Sequence, residues 1–200
     1  MEKMQNIYIT GTGFWIPEDG LTTNDEVVIS YNAYVDKFNS ENAEAISNGS
    51  LEAMSHSSSE FIKKASGIET RYLYDKRNCL DPSRMKPKTR PELPDNTSIL
   101  AEMGVESAKK AIENAGITTD DIDGIILGTS HSARNYPAIA IEIQEALGIN
   151  GYAYDMLVGC SSTTFAISNA YSDIASGLAS TILVINPELT SPGNDFRIRD

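Results

Sequence analysis

The sequence predicts an α/β fold, a mixed, mostly parallel sheet with helices on both faces. Three observations predict it. Apolar runs at 123–129, 152–158 and 178–185 read as buried strands. Amphipathic stretches at 97–116, 137–147 and 163–176 read as helices. Strand and helix thus alternate, and that order implies right-handed crossovers on a parallel sheet covered on both sides.

Taken in order, residues 5–14 place Ile7 and Ile9 between polar neighbours and end in Gly11-Thr12-Gly13, a strand closed by a tight turn. That Gly-x-Gly lacks the third glycine of a dinucleotide fingerprint and reads as a turn. Trp15-Ile16-Pro17 leaves it in extended geometry. Thr23-Asn24-Asp25-Glu26 is a capping box, and Val27, Val28, Tyr31, Tyr34, Val35 and Phe38 follow at near-helical spacing. Residues 39–50 are polar and alanine-rich, suited to a second short helix. A cap at 57–60 precedes Phe61, Ile62 and Ala65, Gly67 closes that helix, and 68–74 reads as a short strand. Residues 75–96 hold four prolines and the basic cluster Arg84, Lys86, Lys88 and Arg90. This cluster reads either as a solvated loop or as a contact for phosphate or an acidic carrier. The helix at 97–116 turns Leu100, Met103, Ser107, Ala108, Ala111 and Ala115 inward, and the helix at 137–147 takes Pro137 at its first position. The last helix turns Phe165, Ala166, Ala170, Ile174 and Ala175 inward and ends at Gly177.

Composition narrows the function. With 200 residues, 40% of them apolar, the chain suits one domain or half of a duplicated one. A net charge of −12 argues against nucleic acid, which needs a basic surface. No apolar run approaches the ~18 residues of a membrane span, and the N-terminus lacks a signal peptide's basic start and apolar middle. Cys79 and Cys160 are too few for a disulfide framework and match no zinc pattern, which points to a reducing cytoplasm.

Cys160 falls at the junction of the strand at 152–158 with the following helix. Helix N-termini present unpaired N–H groups and favour negative charge, so a thiol there suits nucleophilic attack on carbonyl carbon. The other reading is a small buried apolar residue, as most free cysteines are. Thr129-Ser130-His131 and Gly159-Cys160 both follow predicted strands, and functional groups gather beyond strand C-termini in such sheets.

The motifs also have a familiar order. They include Gly-Thr-Gly and Ile-Pro after the opening strand, the Thr-Asn-Asp-Glu helix start, and Glu-Phe-Ile…Ser-Gly-Ile-Glu-Thr-Arg-Tyr at 60–72. Then come Ala-Gly-Ile-Thr…Asp-Ile-Asp at 115–123 and Tyr136-Pro137-Ala138 through Gln144…Leu147-Gly148-Ile149. Tyr154-Asp155-Met156…Cys160 completes the series. Together they resemble the N-terminal half of a β-ketoacyl-acyl-carrier-protein synthase III, of the thiolase superfamily, from residue 5 to the end.

The resemblance implies a thiolase-like half-domain over 1–200, with longer segments at about 36–58 and 75–96 and four of five sheet strands present. It implies that Cys160 accepts an acyl primer from acyl-CoA and passes it to malonyl-acyl-carrier-protein, giving a 3-ketoacyl product. No metal and no cofactor beyond these substrates is implied, and the assembly is a homodimer. The family's tryptophan and arginine that sandwich the CoA adenine correspond to Phe61 and Ala65. Tyr136 stands where the family has an aromatic that closes the partner's acyl pocket, and His131 is a pocket-lining residue. His56 and His131 do not match the family's catalytic histidine, so the 200 residues alone are expected to lack condensing activity. The longer segments suggest a medium-chain primer. Other thiolase-superfamily acyltransferases, polyketide-type synthases and a non-catalytic acyl-binding domain are the alternative readings.

Overall fold

The computed structural model describes residues 6–88, 98–132 and 134–198. They form two compact units: Ile16–Arg90 with Leu189–Asp200, and Met1–Trp15 with Pro91–Glu188. The first is mainly helical and the second contains the parallel sheet.

In the helical unit, β1 (Leu21–Thr23) pairs antiparallel with β2 (Thr70–Tyr72), Leu21 opposite Tyr72. The capping box forms as predicted: Thr23 Oγ1 accepts from Glu26 N–H, and the Glu26 carboxylate accepts from Thr23 N–H at 2.8 Å. It opens α1 (Asn24–Glu41). Lys76 lies 2.6 Å from Glu26 and, with the Thr23 N–H, holds the Glu26 carboxyl below its ordinary range. The short α2 (Ala43–Ser47) follows, then α3 (Ser59–Ser66), whose N-cap is Ser58 and whose C-cap is Gly67 at φ +73°. One face of α1 grips the chain between α2 and α3. Asn39 exchanges two hydrogen bonds with the Met54 backbone, at 2.9 Å each, and Asn32 does the same with Ser57 at 2.9 and 3.1 Å. Asp36 lies between them in sequence and meets His56 Nε2 at 2.7 Å.

The stretch after β2 takes defined turns as far as residue 88, where the described residues break off. A single turn, α4 (Lys76–Cys79), buries Cys79 completely. Met85, also fully buried at φ +52°, packs with Tyr31 and Val35, and its carbonyl accepts from Phe196 N–H. Lys86 pairs with Asp195 at 3.3 Å, and Lys88 N–H donates to Asp75. Arg90 lies outside the described residues.

In the sheet unit, β3 (Gly124–Thr129) is the centre of a three-stranded parallel sheet. β4 (Tyr152–Leu157) lies on one side and β5 (Ile182–Ile185) on the other. Helices cover both faces. Ile126 faces Ala166 and Ala170 of α7 (Ser162–Ala175). Against Ile185 of β5, and so on the face opposite to Ile126, Gly104 of α5 (Ile99–Ala115) packs with Ile143 of α6 (Ile139–Leu147).

Four expectations need correction. Residues 6–14 form no strand. A Cβ at Gly11 or Gly13 would collide with the α5 backbone, and Lys110 and Asn114 bond the Phe14 and Thr12 carbonyls at 3.0 and 2.7 Å. Helix contact replaces sheet pairing, so the sheet has three strands among the described residues, not four. Pro137 is not at the first position of α6, which starts at Ile139 after a cis Tyr136–Pro137 bond. The Asp155 carboxylate in β4 accepts from the Ile139 and Ala140 N–H groups at 2.8 Å each and fixes that start. The run from 178 becomes strand only at Ile182, because Asp123 accepts from the N–H groups of Ser180 and Thr181 instead. On α7 the buried positions are Ser162, Ala166 and Ala170, while Phe165 and Ala175 turn to solvent. Gly177 ends the helix as expected, its N–H bonding Ile174 O and that of Leu178 bonding Asp173 O.

Two outcomes test this account. Asp155→Ala removes the cap of α6 and is expected to cost about 1–2 kcal/mol, read as a lower urea midpoint at unchanged m; an unshifted midpoint rejects the cap. Burial, assisted by the Asp75 charge, pushes the Cys79 thiol up to about 11. Its contribution is complete below the ordinary thiol value of about 8.5 and is lost as pH rises toward the raised one. Tm is therefore expected to fall over that window, and less in Cys79→Ala; parallel declines in both proteins exclude the linkage.

Candidate active site

His131, Cys160 and Glu188 lie beyond the C-terminal ends of β3, β4 and β5, respectively. β4 ends at Leu157, and Gly159–Ser161 make one 3₁₀ turn before α7. Gly159 sits at φ +60°, a left-handed conformation that glycine adopts without penalty. Cys160, in the middle of the turn, is exposed. Of the two readings of this residue, the buried one does not hold; Cys79 is the buried cysteine.

Ser162 locks the turn. It is only 3% exposed. Its Oγ accepts from Val158 N–H at 2.9 Å and lies 2.8 Å from both Thr129 O and Gly159 O. Gly128 leaves room for this approach, since a Cβ there would stand 2.9 Å from the Ser162 carbonyl and 2.7 Å from Asn186 Oδ1. A second tie runs from β5 to β3. The Glu188 carboxylate accepts from Ser130 N–H at 2.9 Å and Ser130 Oγ–H at 2.7 Å, and His131 Nδ1 lies 3.3 Å from it.

The predicted residues are distributed unevenly over this frame. Cys160 and His131 both lie beyond the ends of adjacent strands, with Thr129 and Leu157 in register. The side-chain partners of His131 are Ser130 and Glu188. Tyr136 is 87% exposed, on the loop before α6. Arg134 steadies that loop through Pro137 O at 3.3 Å and an ion pair with Glu142. Phe61 belongs to the helical unit, in the first turn of α3, where Ser58 Oγ accepts from its N–H and its ring is partly exposed. Ala65 is exposed one turn further on. Sequence reasoning missed Ser162, Glu188 and Asp155. Ser162 was visible only as a small polar neighbour of Cys160, and Glu188 follows the last strand without any pattern. Among the described residues no three His, Cys, Asp or Glu side chains are grouped to hold a metal, and no helix is long and apolar enough to cross a membrane.

Residues 95–193 match the family model of the thiolase N-terminal domain. The chain belongs to the thiolase superfamily. Within it, the match is to the N-terminal half of β-ketoacyl-[acyl-carrier-protein] synthase III proteins. A β-ketodecanoyl-[acyl-carrier-protein] synthase from Pseudomonas aeruginosa is 49% identical over 171 residues, covering 86% of this chain and 49% of that protein. A β-ketoacyl-[acyl-carrier-protein] synthase III from Bartonella tribocorum is 35% identical over 156 residues, covering 78% and 42%. The crystal structure of 3-oxoacyl-[acyl-carrier-protein] synthase III from Aquifex aeolicus superposes with a TM-score of 0.67 at 26% identity, covering 96% of this chain and 47% of that one. The chain thus spans about half the length of the curated relatives it matches.

The contrast between the two cysteines is directly measurable. Limiting iodoacetamide is expected to modify Cys160 in the folded protein and to leave Cys79 untouched until denaturant is added. Equal labelling of both peptides by mass spectrometry contradicts the exposures described.

Proposed function

We propose that the protein containing this chain is a cytoplasmic condensing enzyme of fatty-acid synthesis, with Cys160 as the acyl-accepting nucleophile. The observation that carries the proposal is the exposed Cys160 in the turn between β4 and α7. The Cys160 thiolate attacks the thioester carbonyl of acyl-CoA, and the oxyanion that forms is stabilised by backbone N–H, that of Cys160 itself being the local donor. Collapse expels the CoA thiolate and leaves an S-acyl enzyme. Malonyl-acyl-carrier-protein then loses carbon dioxide, and its carbanion attacks the acyl carbonyl. A carbon–carbon bond forms, Cys160 leaves as thiolate, and 3-ketoacyl-acyl-carrier-protein is released.

Other roles complete the proposal. Phe61 stacks on the CoA adenine without the second, cationic face that Ala65 does not supply. His131 lines the acyl pocket, and Tyr136, already projecting from its loop, closes the pocket of the second copy in a homodimer. No cofactor or metal is required beyond the thioester substrates. The primer is of medium length: a β-ketodecanoyl product, as in the name of the Pseudomonas aeruginosa relative, has ten carbons, two of which come from the malonyl unit. Neither His56 nor His131 matches the family's catalytic histidine, so residues 1–200 by themselves accept acyl groups at most and do not condense them.

Mass spectrometry of the full-length protein mixed with acyl-CoA of increasing chain length tests this. Acyl mass is expected on the Cys160 peptide, faster from octanoyl-CoA than from acetyl-CoA, and Cys160→Ser abolishes it. Faster acetyl transfer overturns the medium-chain assignment, and no acyl adduct from any donor overturns the enzymatic one.

A further inference from the structure

We infer that Ser162 is a positioning residue for Cys160, holding the nucleophile's turn in the geometry that acyl transfer needs. The inference rests on the reading of Cys160 as acyl acceptor. The turn from Val158 to Ser162 is short and contains no regular ladder. Its backbone bonds are few: Ser161 N–H reaches Val158 O at 3.3 Å, and Ser162 N–H reaches Gly159 O. Gly159 in the left-handed region adds freedom of its own. One hydroxyl compensates for this looseness. By accepting from Val158 N–H and donating into the space between Thr129 O and Gly159 O, Ser162 Oγ joins three points. These are the residue leaving β4, the end of β3, and the residue before Cys160.

The surroundings fit that task. Ser162 is buried, so the hydroxyl does not serve as a ligand for solvent or substrate. It occupies the small-residue face of α7 with Ala166 and Ala170, and Gly128 opposite has no side chain to separate the helix start from β3. Alanine at 162 fills nearly the same volume and leaves the Val158 N–H and the Thr129 carbonyl short of a partner. The backbone is then free to rearrange, and the residue two positions away moves with it. Misplacement of a reacting group by an ångström costs on the order of 100-fold in rate, so even a partial shift is readable.

The experiment uses the full-length protein with octanoyl-CoA as probe and follows acylation of Cys160 by mass spectrometry at several donor concentrations. Ser162→Ala is expected to slow the first-order acylation step by about tenfold or more at unchanged half-saturating donor concentration. Ser162→Thr, which retains Oγ, is expected to restore most of the rate. Ser30→Ala is the control for lost stability, because Ser30 is also buried and its Oγ donates to Leu80 O at 2.5 Å in the helical unit. It is expected to lower Tm and leave acylation unchanged. Wild-type acylation in Ser162→Ala, or equal slowing in Ser30→Ala, overturns the inference. Iodoacetamide alkylation of Cys160 separates this result from the enzymatic reading. If no acyl-CoA modifies the parent protein but Ser162→Ala changes the alkylation rate of Cys160 and Ser30→Ala does not, the donor assignment fails and the positioning stands. An unchanged alkylation rate then overturns the positioning as well.

Discussion

The complete burial of β3 is the constraint on which the sheet unit depends. All six of its residues are hidden from solvent, with β4 and β5 along its edges and helices over both faces. Such a strand admits only apolar or small side chains in its interior, because an unpaired polar group there costs a few kcal/mol. Gly124 and Gly128 are the points where neighbours come closest: the Tyr152 ring covers the first and the start of α7 rests on the second. Chemistry is thereby pushed to the strand's exit. The first polar side chains that β3 offers are Thr129, Ser130 and His131, beside the turn that presents Cys160.

Carboxylates organise the breaks between these elements. Asp123 accepts two backbone N–H groups before β5, Asp155 accepts two at the start of α6, and Glu188 accepts one together with a hydroxyl after β3. The Ser180 and Thr181 N–H groups hold the Asp123 carboxyl below its ordinary range. Part of the acidic excess of the chain is thus structural, tied to backbone donors that would otherwise lack partners. Two residues of the basic cluster meet carboxylates as well: the Lys86 side chain pairs with Asp195, and Asp75 accepts from the backbone N–H of Lys88.

The βαβ order, the Thr23 capping box, Gly67 and Gly177 as helix ends, and the place of Cys160 were all legible in the sequence. Each depends on local chemistry: periodicity, a cap, or a residue with permissive φ. What was not legible depends on partners distant in sequence. Residues 6–14 alternate like a strand, yet two glycines let them lie against α5, and nothing local distinguishes these outcomes. Pro137 looked like a first helical residue because the Asp155 cap comes from 16 residues further along the chain. Phe165 was assigned inward because a helical stripe gives a face only to within a residue or so, and alanine spacing at 166 and 170 set the true one. Ser162 and Glu188 carry no motif at all. Their importance lies in distances that only the folded backbone creates.

Two of the asparagines of α1 have a consequence for evolution. Asn32 and Asn39 use their side-chain amides as if they were peptide groups, each pairing with one residue of the passing chain. That chain is therefore anchored where it rejoins α3, whatever its length before the anchor. Glu52 and Ala53, exposed just ahead of Met54, form a seam where residues can be gained or lost at small thermodynamic cost, about 0.6 kcal/mol for each doubling of a flexible loop. Divergence in this arm can proceed while the register of α3, and the presentation of Phe61, stays the same.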